Sequence, residues 1–163
     1  MSSDIILSWL SGLPFEHTPI DDLESFLWVL LWLTLAIPEK EGILSQAEQS
    51  VIDHLRLPHI SLQRGRDDHV QTLRKIIFLH QSTRAVEILF PLIEAWFAIC
   101  QRARAEVTNL QLCHAPHLSP THQQNYLRAV DPLTMQYFGE FILTAHKMLP
   151  ALPRSWNGLF VHS

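Results

Sequence analysis

Glycine is scarce in this sequence, five in 163 residues, and no two alternating apolar runs are joined by Asn-Gly or Asp-Gly. Hairpin-built sheets are therefore not expected. Two cysteines are too few for a disulfide framework, and the start Met1-Ser2-Ser3-Asp4 lacks the positive charge of a secretory signal. Charge is also thin. Only 17% of residues are charged, and 12 basic side chains face 16 acidic ones, a net −4. Nucleic-acid binding, which needs clustered Lys and Arg to displace counterions, is not expected. Nor is there a membrane span. The longest apolar run, Phe26 to Ile37, contains Thr34. A helix from Asp22 to Ile37 would be about 24 Å long, against the roughly 30 Å of a bilayer core. An intracellular, cytoplasmic location is the expectation.

What is abundant is apolar: 47% of the chain, enough to fill one core at a length that favours a single domain over 1–163. Periodicity predicts an all-α fold. Asp4 to Ser11 reads as a short apolar helix stopped at Gly12-Leu13-Pro14. Asp21 is a candidate cap, with Glu24 reaching back, for a helix over 22–37 that Pro38 ends. That helix is apolar nearly all round, so it is expected at the centre, covered on more than one face. Trp28 and Trp32, four apart, read as a core stripe.

Ser45 and Glu48 form a second capping-box signature before Ala47, Val51, Ile52 and Leu55. Residues 58–68 read as a loop, and 69–80 as a helix burying Val70, Leu73, Ile76 and Ile77. The stretch 83–107 is helical by pattern with a break or kink expected at Pro91, and 109–120 reads as a histidine-bearing loop. Ser119-Pro120 and Asp131-Pro132 both look like a cap followed by a first helical residue. A last helix is predicted over 132–149, then an irregular tail over 150–163 with Trp156 and Phe160.

Three constellations could carry chemistry. Cys113, His114, His117 and His122 lie within ten residues, and Cys and neutral His are zinc ligands. The usual Cys pair two to four residues apart is missing, and Cys100 beside Trp96 reads as a small packed hydrophobe. No metal or other cofactor is expected. Cys100 or Cys113 with one of ten histidines could in principle form a nucleophile–base pair, but no family signature supports it. The acidic doublets Asp21-Asp22 and Asp67-Asp68 diverge too quickly to flank one bond, and the first suits a helix start. The basic stretch Arg64, Arg66, Arg74 and Lys75 has no interleaved aromatics and reads as a solvated surface.

One string is more specific. Asp22-Leu23-Glu24-Ser25-Phe26-Leu27-Trp28-Val29-Leu30-Leu31-Trp32 closely resembles the core of the fungal-type protein kinase family. It is similar to the start of the central helix of a kinase C-terminal lobe. The resemblance implies that Asp22 matches the Asp that braces the catalytic loop. Met1-Ser2-Ser3-Asp4 resembles the segment closing the activation loop, with Asp4 where the family has Glu. The likeness is specific over residues 1–37 and weak to about residue 100.

The Gly-rich loop, strand Lys, His-Arg-Asp loop and Asp-Phe-Gly motif that perform phosphoryl transfer all precede that point, and none occurs in these residues. The expectation is a truncated, non-catalytic kinase-like C-lobe, acting through protein contacts. The alternatives are the C-terminal part of a longer active serine/threonine kinase, and a metal-binding helical protein using Cys113, His114, His117 and His122. Leaving four or five large residues of the central helix uncovered would forgo about 1.5–3 kcal/mol each. A protein partner or self-association through the exposed apolar surface is therefore expected.

Overall fold

A computed structural model describes residues 18–56, 62–114 and 120–152, with side chains omitted over 62–67, 111–112, 114, 120–125 and 127. Five helices account for nearly all of it: α1 (Pro19–Lys40), α2 (Gln46–Arg56), α3 (Leu62–Phe78), α4 (Arg84–His114) and α5 (Pro120–Met148). A short 3-10 turn, Leu149–Ala151, follows. No strand occurs among the described residues, and the all-α expectation holds. The expected helix over 4–11 and the tail beyond Leu152 lie outside them.

α1 starts a turn earlier than its sequence suggests. Thr18 is the cap and Pro19, whose missing N–H costs nothing there, is the first helical residue. Asp21 is not the cap but its partner: its Oδ2 accepts from the Thr18 backbone N–H at 2.8 Å and from the Thr18 hydroxyl at 3.0 Å. Pro38 does not end the helix. It sits in the last turn, and the stop comes at Gly42, whose φ of 72° lets two backbone bonds close the end. Ile43 N–H donates to Pro38 O at 3.1 Å and Gly42 N–H to Glu39 O at 2.9 Å, a Schellman arrangement.

α2 opens on the predicted box: Ser45 N–H donates to Glu48 Oε2 at 2.9 Å, and Glu48 N–H to Ser45 Oγ at 3.2 Å. α3 begins at Leu62, inside the expected loop, because the segment tolerates helix on its polar side while Val70, Leu73 and Ile76 bury the other. It ends as α1 does, but with His80 at φ 53° in the glycine position. Gln81 N–H donates to Ile76 O and His80 N–H to Ile77 O, both at 3.0 Å.

α4 and α5 run through their prolines. Pro91 is exposed, as is Glu87 one turn before it, so the carbonyl deprived of a donor faces solvent. Pro132 and Arg128 repeat the arrangement, so Asp131-Pro132 starts nothing and α5 is one helix from Pro120. α4 also extends seven residues past Val107, into the expected loop.

α4 makes the largest contacts, with α5 and with α1. Trp96 stacks on Phe141 at 3.7 Å between centroids and donates from Nε1 to Phe141 O at 3.1 Å. Ten residues on, Glu106 Oε1 accepts from the Tyr137 hydroxyl at 2.7 Å, so the two helices are antiparallel. The core joins Leu23, Leu27, Leu31 and Leu35 of α1 to Ile52, Leu73, Val86, Ile93 and Phe141.

Cross-helix Arg–Glu pairs recur at the rim. Arg56 Nη1 donates to Glu39 Oε1 at 2.7 Å, Arg74 Nε to Glu94 Oε1 at 2.8 Å, and Arg102 Nη2 to Glu140 Oε2 at 2.5 Å. The hydrogen bond from Arg56 holds the Glu39 carboxyl below the usual carboxylate range.

α1 is not wrapped on all sides. Its buried stripe runs Ile20, Leu23, Leu27, Leu31, Leu35, while Phe26, Val29, Trp32 and Leu33 are 57%, 54%, 43% and 42% exposed. Trp28 is half-buried, so the tryptophan pair flanks the core rather than filling it.

Candidate functional site

Three places combine polar chemistry or surface in a way that could serve function. The first is a buried ion pair. Glu24, on the inner side of α1, is 5% exposed. Its Oε1 accepts from Trp28 Nε1 at 3.1 Å, and its Oε2 is paired with the Arg104 guanidinium of α4. Sequence reading assigned Glu24 to a cap it does not make. An acidic residue one turn before an indole was the available signal, and the matching Arg eighty residues away was not visible. Cys100 lies one turn before Arg104. Burial, then the Glu24 charge, pushes its thiol up to about 12, against a partial opposing effect of Arg104. Cys100 is a packed core residue, as its sequence context suggested.

The second place is Glu48, completely buried. Besides capping its own helix, it reaches the start of α4. There Thr83 N–H donates to Oε1 at 2.7 Å and the Thr83 hydroxyl at 2.9 Å. One carboxylate thus serves two helix N-termini, where the positive dipole ends favour it. Both of its oxygens accept from backbone or hydroxyl donors of its own chain, so the arrangement is structural.

The third is the outer side of α1 with its four exposed apolar side chains. No charge interrupts it between Asp22 and Lys40, both exposed. The sequence led to the expectation of an uncovered apolar surface on this helix, and the structure locates one at Phe26, Val29, Trp32 and Leu33.

The other candidates are placed only in part by the described residues. Asp22 lies exposed in the first turn of α1, and Asp4 lies outside the described residues. Cys113 is exposed near the end of α4, His114 ends that helix and His122 is in the first turn of α5. His117 lies outside the described residues. Among the described residues no three His, Cys, Asp or Glu side chains gather as a metal site. An open groove of about 660 Å³ is lined by Leu44, Gln46, Gln49, Ser50, Asp53 and His54. Gln49 Nε2 in it is committed to Glu39 at 2.9 Å and Asp53 at 3.0 Å. No helix among the described residues is long and apolar enough to cross a membrane.

Comparison of the chain with protein-family models, with curated proteins and with solved structures gives no significant match.

Proposed function

We propose that this chain is a non-catalytic helical module of kinase-like C-lobe descent that works by protein contact through the outer side of α1. The observation that carries the reading is the row Phe26, Val29, Trp32 and Leu33, each more than two-fifths exposed on a helix whose other side is the core. Large apolar side chains clustered in this way mark interaction surfaces on soluble domains. The descent rests on the string over residues 22–32, which resembles the fungal-type protein kinase family. The absence of catalysis rests on the chemistry. Phosphoryl transfer is positioning and electrostatics by a Gly-rich loop, a Lys and metal-holding Asp and Asn residues, and these residues supply no such set.

Two measurements on the purified chain test the reading. Titration calorimetry with Mg-ATP is expected to give no binding heat; micromolar affinity would overturn the non-catalytic assignment. Fluorescence of an apolar dye is expected to rise on the wild type and fall sharply on Phe26→Ser/Leu33→Ser, with far-ultraviolet dichroism unchanged. A double variant that binds dye like the wild type would remove the interaction surface.

A further inference from the structure

The outer side of α1 has a regular spacing. Phe26, Val29, Leu33, Ala36 and Lys40 are separated by three, four, three and four residues, the repeat of a helix–helix seam. Asp22 continues it by four residues toward the N-terminus. The seam therefore runs from an acidic end, through apolar residues, to a basic end. Phe26, Val29 and Leu33 are exposed and Ala36 half-buried, so the seam is open along its length.

This pattern is complementary to itself in one orientation. If two copies of α1 lie antiparallel about a two-fold axis level with residue 31, Asp22 of each faces Lys40 of the other. The large Phe26 then faces the small Ala36, and Val29 faces Leu33. The helix dipoles also oppose. A parallel pair would instead set Asp22 against Asp22 and Lys40 against Lys40. We propose that a second copy of this chain covers the outer side of α1, antiparallel and in this register. The proposal rests on the reading of that side as an interaction surface, and names its occupant.

The area sets the strength. At about 200 Å² for a whole aromatic side chain, the exposed parts of the four residues come to roughly 350 Å². Adding the stems of Asp22, Leu30, Ile37 and Lys40, two copies would bury on the order of 1,000 Å², the lower bound for a specific interface. Dissociation constants on the order of 10–100 μM are expected, so the chain exchanges between one copy and two.

Sedimentation velocity of the full chain from about 5 to 300 μM tests this. A reversible monomer–dimer equilibrium is expected in the wild type, and monomer throughout for Leu33→Asp. Asp22→Lys or Lys40→Asp alone is expected to weaken pairing about tenfold, since two symmetry-related pairs change sign. The double charge swap is expected to restore it. Wild type that stays monomeric at 300 μM, or single swaps left unrescued by the double swap, would overturn the proposal. Dichroism of each variant separates misfolding from loss of pairing, and Leu33→Asp tests the same seam with no swap at the helix ends. A monomer that still binds dye in a Phe26- and Leu33-dependent way would leave the interaction surface standing with a different occupant.

Discussion

Replacing Glu48 by Ala tests how much of the fold hangs on one enclosed carboxylate. The substitution removes the acceptor for Ser45 N–H at 2.9 Å, Thr83 N–H at 2.7 Å and the Thr83 hydroxyl at 2.9 Å. Two backbone donors at helix starts then lose their partner in a place where Glu48 itself is fully shielded from water. Each stranded donor costs about 1–3 kcal/mol, and the one deleted methylene adds about 0.8 kcal/mol. A loss of about 3–5 kcal/mol is expected, a large part of the 5–15 kcal/mol that holds an ordinary domain together. With a urea slope near 2 kcal/mol per molar, the unfolding midpoint should fall by about 2 M. Glu48→Gln can serve only one of the two helix ends, because its amide nitrogen meets another donor. It should fall between. Ser45→Ala and Thr83→Val should each cost about 1 kcal/mol. The double change Glu48→Ala/Thr83→Val should cost less than the sum by at least about 0.5 kcal/mol. A Glu48→Ala protein within about 1 kcal/mol of wild type, or full additivity with Thr83→Val, would refute the bridge between α2 and α4.

Asp21→Ala should cost about 1 kcal/mol in the same urea assay, because Asp21 closes the capping box with Thr18, whereas exposed Asp22→Ala should cost less than about 0.5 kcal/mol. The reverse order would mean that Asp22 braces a loop, as its kinase counterpart does. Alkylation of the native protein should modify Cys113, which is exposed, and leave Cys100 untouched until unfolding. Because the folded thiol of Cys100 titrates at about 12 against 9.0 for a free one, unfolding releases its proton between those values. Stability should be insensitive to this group below pH 9 and fall by about 1.4 kcal/mol per pH unit above it, a slope that Cys100→Ala should reduce. Burial, then the bond to Glu106, raises the Tyr137 phenol, which acts in the same direction. Finally, His80→Gly should stabilise the protein by up to about 1 kcal/mol in thermal melts, since His80 holds φ 53° at the end of α3; destabilisation would show that the ring makes a contact worth more than the strain.

Most of the helical layout was legible from periodicity, and the errors share a cause. Local signals place starts and stops by the nearest matching residue, whereas the structure places them where backbone donors find acceptors. Asp21 looked like a cap and is the cap's partner, because Thr18-Pro19 one turn earlier offers both an acceptor and a ready first residue. Pro91 looked like a break or kink and Pro132 like a helix start, yet each sits inside a helix on a wet side where solvent can take the orphaned carbonyl. Glu48 was found through its own box, but its second role needs Thr83, thirty-five residues on, and no local pattern connects them. That an apolar side of α1 would lie open was expected; which residues form it was not legible, because composition reports that a helix is apolar and is silent on which neighbours the rest of the chain brings to it.

The rim pairs Glu39–Arg56, Arg74–Glu94 and Arg102–Glu140 have a consequence beyond their small individual energies. Leucine-rich rods can slide or trade places at little loss of oil-like contact, so burial alone leaves several arrangements close in energy. Opposite charges on successive rods, α1 to α2, α3 to α4 and α4 to α5, act as an address code that penalises the wrong neighbour. Reversing the charge of one partner in such a pair would be felt as disorder in which rod lies beside which, more than as a drop in melting temperature.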